Sequence, residues 1–178
     1  MWLQPELPRF LRRHVAVAAV LAFGLPVLTG CGFKPLYGVT QDGGSVATEL
    51  SYVTIPEPRD RMAQLIRNNL LSTMSPAGGP LGDRYRLEYK VKTSTNDLVV
   101  ERDTDVSRRQ FRLAVDYSLI DTKSNKEVHR GRTFSHLAYD RVESEFSNVQ
   151  AETNVRERAA YQVADDIRTR LAAYFSSI

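Results

Sequence analysis

The fold is decided by the stretch Arg84-Tyr85-Arg86-Leu87-Glu88-Tyr89-Lys90-Val91-Lys92, in which charged and apolar side chains alternate strictly. Successive side chains of a β-strand point to opposite faces of its sheet, so this pattern predicts a strand with one buried face and one face toward water. The apolar side chains would point into the core. The charged side chains would point away from it, and they belong to Arg84, Arg86, Glu88, Lys90 and Lys92.

The same alternation returns further along the chain and predicts a sheet around this strand. Apolar side chains stand at every second position from Phe111 to Leu119, and residues 128–137 predict a strand that returns beside this run. Residues 121–125 consist of polar, turn-forming residues and predict a hairpin loop, while residues 101–107 predict a polar turn. Together the three strands predict an antiparallel meander.

Helical periodicity flanks the meander on both sides. Before it, Asp60 is placed to cap a helix that begins at Arg61, and Pro76 marks the end of this helix. Residues 50–55 are rich in β-branched and aromatic side chains and predict a short first strand. After the meander, residues 141–148 predict a crossing loop. A long helix is expected from about Val149, with an apolar stripe made of Val155, Ala159, Val163, Ile167, Leu171 and Tyr174.

This order of elements predicts an α+β fold for residues 46–178. Two helices with one apolar stripe each can cover one face of a four-stranded mixed sheet, which gives a two-layer sandwich with both helices on one face. No segment is left to cover the other face. That face is either hydrated or covered by a partner, and it is expected to carry Arg84, Arg86, Lys90, Lys92, Arg112 and Asp116.

The N-terminal region contains Leu28-Thr29-Gly30-Cys31, which resembles the lipobox of bacterial lipoproteins, and Cys31 is the only cysteine. Arginines up to position 13 precede an apolar run over residues 15–28, which is shorter than the roughly 20 residues that a spanning helix needs. The pattern predicts a lipoprotein signal peptide over residues 1–30, cleaved before Cys31, and a lipidated tether over residues 31–45. A secreted protein without lipid and a retained N-terminal anchor are the alternatives.

The lipobox resemblance implies a diacylglycerol on the thiol of Cys31 and an N-acyl chain on its amine. A single acyl chain binds a membrane only marginally, whereas several chains hold a protein there stably. Gly32 stands where an aspartate would favour retention in the inner membrane, so we expect the periplasmic leaflet of the outer membrane. Because the lipid occupies the single thiol, no disulfide is expected.

The composition excludes several classes of function. Without residues 1–30 the chain keeps 21 basic and 20 acidic residues, so no strong positive charge points to nucleic acid. No nucleophile elbow, phosphate loop or dinucleotide fingerprint occurs. His129 and His136 would point to opposite faces of one strand, without the clustered ligands of a metal site. We therefore expect no enzyme activity, no metal and no cofactor besides the covalent lipid.

The residues Cys31-Gly32-Phe33-Lys34-Pro35-Leu36-Tyr37-Gly38 resemble the start of the LPS-assembly lipoproteins of the LptE family, in the form found in alphaproteobacteria. The similarity continues in the helix from Arg61 and in the charged C-terminal helix. The resemblance implies a partner, the LptD-type β-barrel of the outer membrane, which these lipoproteins plug while they assist the insertion of lipopolysaccharide (LPS). An auxiliary lipoprotein of another envelope transporter, acting as a lipid- or substrate-binding module, is the alternative. A periplasmic hydrolase is a third class.

Basic side chains supply the candidate contacts to LPS or to the partner. They gather around the turn before Phe111 and along the strand expected to lie beside it, and such groups bind phosphate well. The candidates are Arg84, Arg86, Lys90, Lys92, Arg102, Arg108, Arg109 and Arg112. The alternative is a hydrated hairpin in which Glu101, Asp103 and Asp105 balance the charge.

Overall fold

A computed structural model describes residues 45–75, 80–100 and 107–178, and within these ranges it contains three helices and four strands. The predicted signal peptide, Cys31, the tether up to residue 44 and the turn that contains Arg102 lie outside these ranges. The helices are α1 (Val46–Ser51), α2 (Arg61–Met74) and α3 (Glu145–Ser177). The strands are β1 (Val53–Thr54), β2 (Tyr85–Val100), β3 (Ser107–Asp121) and β4 (Lys126–Arg141).

The four strands form one sheet in the order β1-β2-β3-β4. The short strand β1 runs parallel to β2, with Val53 beside Tyr85, and the other two pairs are antiparallel. The hairpin between β3 and β4 closes where Asp121 pairs with Lys126, and Asn125 adopts the left-handed conformation (φ 52°) that such turns require. The predicted meander and the mixed sheet of an α+β fold are confirmed.

The predicted alternation places the core on one side of the sheet. Every second residue of β3 from Phe111 to Leu119 is buried, as are Tyr85 and Leu87 of β2. The long helix α3 lies over β4 and β3, α2 packs beside α3, and Tyr89 donates a hydrogen bond to the carbonyl of Ala63 in α2 (2.9 Å). The two layers therefore share one hydrophobic core, and the helices form the layer on this face.

The N-terminal part of the domain differs from the prediction. The expected strand over residues 50–55 is reduced to Val53 and Thr54, and it follows the short helix α1, which the sequence analysis missed. The side chain of Ser45 caps α1 by accepting a hydrogen bond from the amide of Ala47. Val46 and Leu50 are buried four positions apart, on the same side of this helix. Packing of one helical turn therefore overrides the β-propensity of this segment.

The long helix also begins earlier than predicted. Residues 141–148 were expected to form a loop, but β4 continues to Arg141 and α3 begins at Glu145 after the capping residue Ser144. The buried amide of Asn148 exchanges two hydrogen bonds of 2.9 Å with the backbone of Val142. The side chain of Asn148 thus supplies the two hydrogen bonds that a neighbouring strand would otherwise give to the backbone of Val142. A link of three residues between β4 and α3 is therefore sufficient.

Gly131 in β4 is required by the ring of Tyr117, which lies over it from β3. A methyl group on Gly131 would lie 2.5 Å from Cζ and 2.8 Å from Cε1 of this buried ring. We expect Gly131→Ala to lower the free energy of unfolding by about 1–3 kcal/mol, because overpacking forces side chains out of favourable positions. Urea unfolding measures this loss. In a Tyr117→Leu background the same substitution should cost much less, and an equal cost in both backgrounds would contradict the steric explanation.

Among residues 45–75, 80–100 and 107–178, no helix has both the length and the apolar character needed to cross a bilayer. The longest helix, α3, carries charged side chains along its length, and among them Arg156 pairs with Glu152 and Arg170 pairs with Asp166. These pairs are spaced four residues apart and stabilise an exposed helix surface modestly.

Candidate functional site

The candidate site is the face of the sheet opposite the helices, which we call the open face. It consists of the even-numbered residues of β3 and their partners in β2 and β4, and every one of these side chains within residues 86–96, 108–120 and 127–140 is exposed or half-buried. Within the described part of the chain, the face carries seven basic residues, Arg86, Lys90, Lys92, Arg108, Arg112, Arg130 and Arg132. Its acidic residues there are Glu88, Asp116, Glu127 and Asp140, so the face is net basic.

Most of these charges form ion pairs within the face. Asp116 binds Arg132 through two hydrogen bonds, of 2.5 and 3.2 Å, and lies 4.0 Å from the ammonium of Lys92. The hydrogen bond from Arg132 lowers the pKa of the Asp116 carboxyl, so this group carries its charge at neutral pH. Such exposed pairs contribute only about 0–1 kcal/mol each. They fix the pattern of charge on the face more than they stabilise the fold.

Two basic side chains of the open face, Lys90 and Arg112, form no ion pair with an acidic residue among the described residues. Lys90 takes part in no ion pair there, and Arg112 donates only to the amide oxygen of Gln110, at 2.7 Å. A guanidinium carries five N–H donors in a planar fork, so most of the donors of Arg112 remain available to a carboxylate or phosphate. These two residues are the positions where the face can best bind an anion.

The open face contains a groove of about 1240 Å³. Its floor is formed by the row Glu88–Ser118–Arg130 and the next row Lys90–Asp116–Arg132, and residues 56–60 wall it beside β2. The wall contains two prolines, Pro56 and Pro58, which fix the backbone before α2 begins. The groove is wide and open to water, and its lining mixes charged with apolar side chains, which suits a protein surface or a headgroup better than a small apolar ligand.

The structure separates several of the predicted contact residues. Arg108 lies on the open face and pairs with Asp140 at 3.3 Å, whereas Arg109 points to the helix side and donates to Asp97 at 2.7 Å. The hydrogen bond to Asp97 raises the pKa of the Arg109 guanidinium. Arg84 precedes β2 and binds Glu49 of α1 through two contacts of 3.0 Å. Arg108 and Arg109 therefore do not act together on one surface, and Arg102 lies outside the described residues.

The remaining candidates share the open face. Arg86 pairs with Glu88 at 3.0 Å, and Lys90, Lys92 and Arg112 lie on neighbouring rows of β2 and β3. Strand β4 adds residues to this face that were not among the predicted contacts, including Arg130, Arg132, Phe134 and His136. The sequence contains a pattern that could have identified them, because these residues alternate with Thr133 and Ser135, which are buried, in a segment already expected to be a strand.

The two histidines of β4 point to opposite faces, as predicted. His136 pairs with Arg112 on the open face, whereas His129 pairs with buried Leu119 on the helix side and stacks on Tyr174 at 5.0 Å between ring centroids. Burial lowers the pKa of His129, and the nearby charge of Arg170 lowers it further. In the described ranges, no three side chains of His, Cys, Asp or Glu gather as metal ligands would.

Comparison with known proteins relates the chain to a lipoprotein fold. A crystal structure of a candidate lipoprotein from Caulobacter crescentus superposes with a TM-score of 0.63 at 26% identity, covering 74% of this chain and 96% of that one. An uncharacterized protein of Rickettsia prowazekii is 24% identical over 149 residues, which are 84% of this chain and 91% of that protein. No protein-family model matches the sequence.

A third relative is more distant. Rare lipoprotein B from Shewanella oneidensis aligns with a TM-score of 0.49 at 11% identity over 70% of this chain and 95% of that one, which is too low to establish a common fold. The fold shared with the Caulobacter protein supports the interpretation of the present chain as a lipoprotein of the bacterial envelope.

Proposed function

We propose that this protein is an outer-membrane lipoprotein that binds an LptD-type β-barrel through its open face and assists the assembly of LPS at the outer membrane. The role is structural rather than enzymatic. The observation that carries the proposal is the long, net basic sheet face that no described segment of the chain covers.

The character of the open face fits the inside of a barrel better than it fits lipid. Large transmembrane barrels have polar interiors and an apolar outer band. A face that carries Arg86, Lys90 and Arg112 would lose the hydration of its charges in hydrocarbon, at a cost of several kcal/mol per charge. Against a polar wall, the same charges find hydrogen-bond partners. The open face is therefore proposed to contact the barrel lumen, with the helices on the other side of the plug.

The anchor and the fold agree with this arrangement. The tether over residues 31–45 spans up to about 50 Å when extended, at roughly 3.3 Å per residue, so the domain remains close to its membrane without being pressed against it. The lipid on Cys31 would hold the plug at the periplasmic leaflet. Lys90, which forms no ion pair with another described residue, is the proposed contact to phosphate groups of LPS.

The test is site-specific photo-crosslinking in the native membrane. A photoreactive amino acid at Arg86 or Lys90, both on the open face, should capture an outer-membrane β-barrel. The matched control is Arg158 on α3, which is also exposed but lies on the helix side. It is a better control than Arg156, whose guanidinium packs over the ring of Phe111 at 5.4 Å. Depletion of the protein should impair barrel maturation and LPS export together.

One outcome would favour the auxiliary-transporter alternative. If the lipoprotein is recovered from its native membrane as a monomer, and no position on the open face captures a barrel, the proposed partnership is wrong. Capture from Arg158 but from neither Arg86 nor Lys90 would mean that the helix layer, and not the sheet, forms the interface.

A further inference from the structure

An exposed aromatic side chain stands in the middle of the largely polar open face. Phe134 of β4 is 66% exposed, the highest value for a large apolar side chain in the described strands. It lies in a row with Ala114 and Lys92, and the adjoining row contains Arg112 and His136. We call these five residues the aromatic patch.

The patch leaves room for one side chain of a partner. Directly opposed residues of neighbouring strands have Cβ atoms about 5 Å apart, so the small Ala114 leaves a depression between Phe134 and Lys92. The ring of His136 lies 5.1 Å from that of Phe134, centroid to centroid, and supports it from one side. Where a partner covers such residues, aromatic side chains and arginines contribute most of the binding energy of an interface.

The charges around the patch indicate which chemical groups a partner must place there. Arg112 borders Phe134 and has no acidic partner among the described residues, whereas Arg132 on the other side is already held by Asp116. Covering Arg112 with a neutral surface would leave a buried charge unpaired, which is strongly unfavourable. A partner that covers the patch therefore needs a carboxylate at Arg112 and an apolar side chain over Ala114 and Phe134.

We propose that Phe134 and Arg112 are the anchor of the partner interface, and that the partner's wall presents an aspartate or glutamate beside an apolar side chain at this point. This inference rests on the proposed function, because it assumes that the barrel is the protein that covers the open face. It identifies the part of the interface where affinity concentrates, while the paired charges elsewhere on the face contribute complementarity.

The experiment uses the full-length lipoprotein in its native membrane, with the photoreactive amino acid p-benzoylphenylalanine at position 134. The photoreactive residue should crosslink to the barrel, and mass spectrometry should locate the crosslink next to an acidic residue of the barrel. In a separate measurement, Phe134→Ser should weaken retention of the barrel in detergent about 30-fold, as expected for a central anchor. Tyr161→Ser is the matched control, since Tyr161 is 55% exposed on α3, and it should leave retention unchanged.

A charge exchange tests the second half of the proposal. Arg112→Glu should weaken retention of the barrel, whereas Arg158→Glu on α3 should not, and reversing the crosslinked acidic residue of the barrel to arginine should restore binding to Arg112→Glu. Both positions are exposed, so unchanged thermal unfolding is expected and confirms that the variants fold.

The outcomes separate the two proposals. Capture of the barrel from Arg86 and Lys90 but not from position 134, or full retention by both Phe134→Ser and Arg112→Glu, overturns the anchor and leaves the barrel partnership intact. If Arg112→Glu loses the barrel and the reversed charge on the barrel does not restore binding, the proposed carboxylate partner of Arg112 is wrong. Failure of every open-face position to capture a barrel overturns the proposed function and the anchor with it.

Discussion

Leu113→Ala is expected to lower the free energy of unfolding by about 2–5 kcal/mol, the range for deleting a buried leucine side chain. Leu113 is fully buried in β3, the strand that lies between β2 and β4. Its direct neighbours are Thr93 on β2 and Ser135 on β4. Both are small and polar, and the hydroxyl of Ser135 donates to Gln162 of α3 at 2.6 Å, so neither can move into the vacated space. The cavity therefore stays largely open, and the loss lies toward the upper part of the range.

Urea unfolding of residues 31–178, produced without the signal peptide and with Cys31→Ser so that no lipid is attached, provides the measurement. A loss of about 4 kcal/mol should also appear in thermal unfolding, as a fall of roughly 12 °C in the melting temperature. Leu98→Ala is the control, because Leu98 is 46% exposed and its truncation should cost no more than about 0.5 kcal/mol. Equal losses for the two variants would mean that β3 is not the centre of the core.

The strands could be predicted because one face of each strand is buried over a long distance. The alternation from Tyr85 to Val91 and from Phe111 to Leu119 fixes which side chains enter the core, and a shift of one residue would expose all of them. The capped start of α2 was predictable for a similar reason, since the side chain of Asp60 accepts a hydrogen bond from the amide of Ala63, as expected. These signals are local and need no knowledge of the neighbours.

The missed elements depend on contacts between distant parts of the chain. Helix α1 has six residues, too few to be stable alone, and it forms because Val46 and Leu50 enter the core. The early start of α3 depends on Asn148, a polar residue that is buried only because it pairs with the backbone of Val142. A sequence pattern cannot show either contact, because each residue taken alone favours a loop or a strand.

The candidate site was predicted in outline and incompletely in detail. The uncovered face could be predicted because two helices, with one apolar stripe each, can cover only one face of the sheet. The predicted basic residues Arg86, Lys90, Lys92 and Arg112 do lie on the other face. Arg108 and Arg109 looked like neighbours, but successive residues of a strand point to opposite faces. The contribution of β4 could not be weighed, because a register shift between Leu119 and Ile120 decides which residues of β4 lie beside β3, and this shift brings Phe134 beside Ala114.

Cys31→Ala is expected to abolish lipidation and, with it, stable attachment to the outer membrane. The cysteine would be both the cleavage point and the carrier of the lipid, so the variant should remain a precursor of higher mass without a diacylglycerol. Each buried methylene contributes about 0.8 kcal/mol to membrane binding, so the loss of two or three acyl chains changes attachment from effectively complete to negligible. Mass spectrometry of the N-terminal peptide and fractionation of the envelope measure the two effects.

Gly32→Asp is the matched control for this prediction, because it alters the residue beside the lipidated cysteine and leaves the thiol in place. The variant should be cleaved and acylated as the wild type is, while an aspartate at this position favours the inner membrane over the outer one. If Cys31→Ala matures normally, or if the wild-type N-terminus is unmodified and begins elsewhere, the anchor is wrong. Attachment would then depend either on a retained N-terminal anchor or on the open face, and only in the second case would charge reversal at Arg112 release the domain into the periplasm.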